Sequence, residues 1–357
     1  MQRSLRTLGL LALLMVSTNV VSATKAVDNE DYNTGWAFHI DNDLLVGGDR
    51  DQDYTGGMSL AFSGSRAARH TLSVDGTRKS LNRLSGFNRA FANTLHFTLH
   101  SMDAGFALFT PSNITETAAQ HQDHPYASLF FLSNSEQIVL ADRRSSYQSS
   151  FTIGLLGLPL AEDIQSALHE RTGSDTPKGW KNQISEGGEP TARYTIGVLK
   201  NILHFTNQDR LGFEINLTGE ADIGFTTGAH AGINIRMGRL ATPWWSFSPH
   251  QAEYVNQGAA TPNSPNFLRA REFFFYMGGA VKYRLYNALL QGQFRQSEVS
   301  FDRSELESII GEVWAGVHME LPSRLRIGLF ARARNSEFKA QGAREPVWGG
   351  LSISRAL

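Results

Sequence analysis

Cysteine is absent from all 357 residues. That excludes disulfides, thiol catalysis and thiolate metal sites. Past the N-terminus no stretch approaches the ~18 consecutive apolar residues of a transmembrane helix. There is no Pro/Ser-rich linker, no repeat of fixed period and no low-complexity tract, so one domain accounts for the length better than two. No Gly-x-Ser-x-Gly elbow occurs, which argues against a serine hydrolase of that kind. An excess of positive charge is missing too, the formal net charge being −1. Nucleic acid would want a basic face, so no nucleic-acid partner is expected.

What is present begins with an export signal. Arg3 and Arg6 precede an apolar core from Leu8 to Val16 that is too short to span a bilayer, and Val21-Ser22-Ala23 supplies small residues for cleavage. A signal peptide is predicted over residues 1–23, with the mature chain starting near Thr24. Losing Arg3 and Arg6 shifts the net charge to about −3. An exported chain without a transmembrane helix is either a soluble periplasmic protein or a β-barrel.

Alternation decides between the two. Leu211, Phe213, Ile215 and Leu217 interleave with Gly212, Glu214 and Asn216. Val313, Ala315, Val317, Met319 and Leu321 interleave with Glu312, Trp314, Gly316, His318 and Glu320, and the pattern returns from Leu325 to Arg334. Period 2 with one apolar face is the half-buried strand. Similar segments read as strands near Trp36–Leu44, Thr55–Ser63, Leu95–Phe109, Tyr126–Glu136, Ser149–Leu156 and Tyr194–Phe205. Others lie near Gly224–Met237, Phe273–Tyr286, Leu289–Gln296 and Val347–Ser354. About a dozen strands with charged residues on the second face predict an all-β protein over residues 24–357, a transmembrane antiparallel barrel with a polar lumen. The chain ends Ser354-Arg355-Ala356-Leu357, without the terminal aromatic residue common on such barrels.

Three constellations could carry chemistry. Gln165 and His169, spaced i, i+4, share one face of a short helix on a loop between strands. A histidine there can take a proton from water near neutral pH, Gln165 can orient water or a carbonyl, and Asp175 or Glu170 can fix the imidazole tautomer. The plainer reading is a helical cap on a loop with His169 solvated. Asn42 and Asp43 precede Asp49, Asp51 and Asp53, hard oxygen ligands suited to Ca²⁺ although not spaced as an EF-hand. Asp and Gly are also ordinary turn residues, so a charged hairpin reads equally. Thr110-Pro111 and Asp123-His124-Pro125-Tyr126-Ala127 read as turns leading into strands.

Together these blocks resemble the lipid A 3′-O-deacylases of Gram-negative outer membranes, the LpxR family. Asn42-Asp43 with Asp53-Tyr54-Thr55-x-Gly57 resembles its Asn-Asp and Asp-x-x-Tyr-Thr-Asn-Gly pattern. Thr110-Pro111 with Asp123-x-Pro125-Tyr126-Ala127 resembles its Thr-Pro and Asp-Arg-Pro-Tyr-Ala-Gly block. Gln165-x-x-x-His169 with Pro177-x-Gly179-Trp180-x-Asn182-Gln183 resembles its helix and Gly-Trp-Asp-Asn-Gln loop, and Ser336-Glu337-Phe338 its late Ser-x-Glu-Phe signature. Gly56 stands where the family has Asn, His124 for Arg, Ser128 for Gly and Lys181 for Asp. The family's site lysine has no assigned counterpart.

The resemblance implies a 12-stranded barrel with its site between the wall and an outer-side helix, removing the 3′-linked acyloxyacyl group of lipid A with Ca²⁺. It implies His169 as general base, Gln165 as its neighbour and Asp175 as its acidic partner. Thr55 and Tyr126 fall on the substrate or oxyanion side, and Asn42 and Asp43 at the metal. The expected substrate is lipopolysaccharide, the expected location the outer membrane, and the expected state a monomer. Rival readings are an outer-membrane phospholipase, needing a Ser activated by a His, and a passive pore lined by Glu312, His318, Arg326 and Arg332.

Overall fold

The protein is described by a computed structural model that covers residues 30–46, 53–87, 89, 96–209, 211–247 and 271–357. The predicted signal peptide, Asp49 and Asp51 lie outside the described residues. Strands β1 (Gly35–Asn42), β2 (Asp53–Ser63), β3 (His96–Thr110), β4 (Ala127–Leu140), β5 (Ser145–Leu156) and β6 (Glu189–Thr206) are followed by β7 (Leu211–Gly224), β8 (Thr226–Arg239), β9 (Phe273–Asn287), β10 (Ile309–Glu320), β11 (Leu325–Arg334) and β12 (Val347–Ala356). Each pairs antiparallel with its sequence neighbours. β1 closes on β12 from Gly35↔Ala356 to Asn42↔Gly349, which makes a closed barrel of twelve strands. Helices α1 (Ser65–Arg69) and α2 (Asp75–Leu84) join β2 to β3, α3 (Leu160–Thr172) lies between β5 and β6, and α4 (Ala288–Gln291) between β9 and β10. Antiparallel connections alternate ends, so α3 and α4 share one end of the barrel while α1, α2, the start of β1 and the end of β12 share the other, called the terminus end.

The period-2 patterns map onto two surfaces as the sequence reading expects. On β10, Ile309 and Val313 are exposed while Glu312 and Trp314 are buried. On β2, Met58, Leu60 and Phe62 form an exposed apolar row while Ser59, Ala61 and Ser63 face inward. An exposed apolar outer band costs little only in a lipid solvent.

Ion pairs run through the lumen beside buried aromatic residues such as Phe274, Tyr276 and Trp314. Glu312 takes Lys282, Arg332 and Arg334, each at 3.0 Å. Arg334 also reaches Glu337, which Arg284 pairs. Lower in the lumen, Glu214 pairs Arg236 at 2.7 Å and His204 at 2.8 Å. Two apolar layers close over this chemistry. At the α3 end Phe109, Leu129, Phe131, Leu156, Phe225 and Trp348 pack across the barrel with Ile184 and Leu289. At the terminus end Trp244 and Trp245 of the β8–β9 connection pack on Leu99, Val139 and Leu199.

One expected strand is corrected. Leu289–Gln296 is not a strand, because α4 begins at Ala288 and buries Ala288, Leu289 and Leu290 together. The Asn287 side chain caps the turn by accepting from the Leu289 amide at 3.1 Å. A consecutive apolar run of that length suits a buried helical turn as well as a strand. Helices α1 and α2 had no counterpart in the sequence reading.

Glu312→Ala should strip a shared carboxylate from two buried cations, Lys282 and Arg334, and from the half-buried Arg332. We expect a loss of about 3–5 kcal/mol, the usual result of breaking a buried pair from one side. It is read as a lower temperature for loss of the compact band in heat-modifiability gels. Arg332→Ala, which leaves Glu312 two cations, should cost clearly less.

Candidate functional site

The site forms on the outer wall at the α3 end. Strand parity fixes this. Phe106 pairs with Met58 and Phe130, on the lipid-facing side, whereas Ala107 and Phe109 point into the lumen layer. α3 lays Ala161 onto that outer side, in a cluster with Leu108, Ile114, Tyr126 and Trp180, against which Phe106, Phe130 and Ile164 pack. Ala161, Gln165 and His169 recur every four residues and form the buried stripe of α3. Gln165 and His169 are 1% and 2% exposed, so His169 is not the solvated cap of the plainer reading.

Each of these side chains is held. Trp180 Nε1 donates to Gln165 Oε1 at 2.8 Å, which fixes the amide with its NH₂ turned from the indole. Trp180 stands on the Tyr126 ring at a centroid distance of 4.8 Å. Gly179 is required beside it, because a Cβ there would run into the Tyr126 ring. Tyr126 donates its hydroxyl to the Ile114 carbonyl at 3.0 Å, so its oxygen supports the loop. His169 Nδ1 meets the Asp175 backbone carbonyl. A carbonyl only accepts, so the neutral ring carries its proton on Nδ1 and leaves Nε2 as the basic nitrogen. Asp175 therefore orients the ring through its main chain, not through the carboxylate the sequence reading offered; its side chain is exposed.

The adjacent wall carries the N-terminal block. Asn42 Nδ2 donates to the Thr55 carbonyl at 2.5 Å, and Thr55 Oγ1 shares a 2.6 Å hydrogen bond with Thr110 Oγ1. A bulge between Tyr54 and Gly56 makes this possible by letting Tyr54 turn inward to Phe109 and Trp348. Gly56, at the family's Asn position, has φ +157, and a Cβ would stand 2.6 Å from the Asp41 carbonyl oxygen. Gly56 pairs with Leu108, the residue on which the α3 cluster rests, so the two blocks are neighbours across one strand. Asp43 is buried at the end of this row.

A metal has few anionic ligands here. Among the described residues no group of three or more Asp, Glu or His side chains gathers. Asp41 accepts from Tyr54 at 3.0 Å on the lumen side, and Asp53 is taken by Arg344. Asn42 and Asp43 remain, an all-oxygen pair that fits a hard cation only with carbonyl, water or substrate oxygens completing the six to eight it takes.

Sequence reasoning missed Arg344 as part of this end of the barrel, and read Thr110 only as part of a turn. Arg344 bridges Asp53 and Asp123, at 3.0 and 2.7 Å, tying the β11–β12 connection to the start of β2 and to the β3–β4 connection. Nothing near Arg344 in the sequence signals this. Asp123 also accepts from the Ser112 amide and hydroxyl, and His124 stacks on Phe109 in the buried layer. Burial opposes ionisation of Asp123, but Arg344 and Ser112 outweigh it and hold the pKa below the usual carboxylate value.

A depressed carboxylate contributes stability that is complete above its unfolded pKa, near 4, and is lost as pH falls through the folded value. The 111–126 loop should therefore resist proteolysis from neutral pH down past that range. In Arg344→Gln the loop should become cleavable at a higher pH. Identical cleavage profiles for the two proteins would remove Arg344 from this role.

The whole chain can now be set beside known proteins. A family model described as outer membrane protein LpxR matches residues 8–357. LpxR from Salmonella typhimurium superposes with a TM-score of 0.68 at 16% identity, covering 91% of this chain and 100% of that one. The β domain of the Bordetella autotransporter BrkA is similar only at a TM-score of 0.42 and 9% identity, covering 92% of this chain and 100% of its own. No curated protein matches in sequence. With the match spanning nearly the full length and the twelve-stranded closure in agreement, the chain belongs to the LpxR family of outer membrane proteins.

Proposed function

We propose that this protein hydrolyses the 3′-linked acyloxyacyl ester of lipid A, at the outer wall of the barrel and with His169 as general base. The observation that carries this reading is the buried Gln165–His169 stripe of α3, which faces the wall on its lipid side with the His169 tautomer set for proton uptake at Nε2. A lipid substrate could reach this stripe by moving within the bilayer. Its acyl chains would lie along the outward apolar row of Met58, Leu60 and Phe106, and its sugar at the polar rim.

The chemistry follows from the groups present. His169 Nε2 takes a proton from water as its oxygen adds to the ester carbonyl. The tetrahedral intermediate expels the sugar oxygen, and the same proton returns to it. Gln165, its carbonyl end pinned by Trp180, presents an amide NH₂ that can donate to the carbonyl oxygen as charge grows there. The Thr55–Thr110 hydroxyl pair lines the neighbouring wall. Asn42 and Asp43 would hold a Ca²⁺ ion, which would polarise the ester carbonyl and neutralise the oxyanion. The aromatic layer across the α3 end weighs against the pore reading, since it fills the cross-section a channel would need.

Lipid A from cells producing the protein should lose the mass of the 3′ acyloxyacyl group on mass spectrometry. His169→Ala should cut that conversion at least ~10²-fold while the barrel still shows heat modifiability. A variant keeping most of its activity would leave His169 a buried structural residue of α3.

Chelation by EDTA should abolish activity and added Ca²⁺ restore it. Asp43→Ala removes the one carboxylate and should raise the Ca²⁺ needed for half-maximal rate, and Asp43→Asn should do so less. Full activity in EDTA would leave Asn42 and Asp43 as a capped turn, with side-chain donors alone serving the oxyanion.

A further inference from the structure

The outer wall carries a second polar patch, at the terminus end. Along β4 the outward residues run Phe130, Leu132, Asn134, Glu136, so the lipid-facing row turns polar partway down. Ser149 pairs with Glu136 from β5, and His100 from β3. These groups face the α1–α2 hairpin, which lies against the outside of the barrel. Asn134 donates to the Ala67 carbonyl at 3.0 Å and accepts from the Val74 amide at 2.8 Å. Arg78, fully buried, reaches Asp75 and Glu136 at 2.7 Å and Ser149 at 2.8 Å.

α2 is thus inverted relative to a helix on a water-soluble core. It buries Asp75, Arg78 and Asn82 and leaves Lys79, Arg83 and Leu84 outward, Leu84 being 83% exposed. The segment 65–89 contains Arg66, Arg69, Arg78, Lys79, Arg83 and Arg89 against a single acid, Asp75. Asp75 is consumed by Arg78 and Lys79. The exposed surface of the hairpin is therefore basic, with Leu72 (63% exposed) and Leu84 set among its arginines. It begins where the apolar band stops: Arg66 lies 6.0 Å from the ring centroid of Phe62, the last outward apolar residue of β2.

We propose that the α1–α2 hairpin is an interfacial anchor that takes the anionic headgroups of phospholipids in the leaflet at the terminus end. Charge complementarity selects the headgroup, and continuity with the lipid-facing row of Leu60 and Phe62 sets the depth. Exposed leucines between guanidinium groups suit the acyl–headgroup boundary, where apolar and basic side chains are both solvated. An acidic soluble protein would match the charge but would have to sit against the bilayer edge beside Phe62.

The full chain is reconstituted into nanodiscs of phosphatidylethanolamine with and without phosphatidylglycerol, and co-purifying lipid is counted by native mass spectrometry after gentle detergent extraction. We expect retained phosphatidylglycerol well above its bulk fraction, falling as salt rises. In R66E/R69E/R83E, which reverses three charges, the preference should drop by more than ~10²-fold at roughly fivefold per unit of charge. R66Q/R69Q/R83Q should lie between, with the heat-modifiable band of both variants intact. Equal retention of the two lipids by the unaltered protein, or a preference untouched by either variant, overturns the proposal. Displacement of the bound lipid by inorganic phosphate, at an ionic strength where chloride leaves it bound, also overturns it, because a free-phosphate site would then explain the charge.

Discussion

The ladder between β1 and β12, running from Gly35↔Ala356 to Asn42↔Gly349, is the constraint on which everything else rests. A bilayer offers no water to an unpaired strand edge, so backbone groups at that depth must find each other. Closure does this and also fixes parity: every strand residue is assigned to lumen or lipid, and a one-residue slip would exchange the two. Glu312 facing lipid beside Val313 facing the lumen would be ruinous on both counts. The three cations around Glu312 and the pair Glu214–Arg236 make such slips costly, since each pair forms only in one register.

Parity also explains why the candidate site sits outside the barrel. At the α3 end the lumen side of the wall is taken by ion pairs and an aromatic layer. The outer wall has room, but a polar group there must be covered or used. At one end α1 and α2 cover Asn134 and Glu136. At the other, α3 covers Leu108 and Phe106 with its apolar residues and carries Gln165 and His169 along the same stripe. The same device, a helix laid on the outer wall, serves structure at one end and the candidate site at the other.

The strands were legible because alternation is a direct imprint of two solvents on one backbone, and the expected bounds differ from the observed ones by a few residues. Leu289–Gln296 misled because a short apolar run carries no period. α1 and α2 were illegible for a related reason: their buried face is Asp75, Arg78 and Asn82, so no apolar stripe marks them. At the site, the i, i+4 spacing of Gln165 and His169 was readable, and the structure buries both. Asp175 was readable as a position but not as a carbonyl, because main-chain contacts leave no trace in residue type. Arg344, bridging Asp53 and Asp123 from far along the chain, depends on closure and could not be seen before the fold.

The two wall-bound helices are coupled through β3. Its 15 residues run from His96, at the terminus end, to Thr110, at the α3 end. At ~3.4 Å per residue and a tilt near 45°, it climbs about 35 Å, slightly more than the ~30 Å hydrocarbon core. His100, four residues in, belongs to the polar patch under α2, and Leu108 and Thr110 to the wall under α3. A hydrogen-bonded barrel does not stretch along its strands. A hairpin held in one headgroup layer, as proposed, would therefore set the height of the wall that carries Gln165 and His169. An ester at the boundary between sugar and acyl chain occupies a narrow range of depth, and a histidine a few ångströms too deep would face hydrocarbon without water to activate. If the hairpin anchors as proposed, its seat on the same strand as the candidate site's wall would hold that depth.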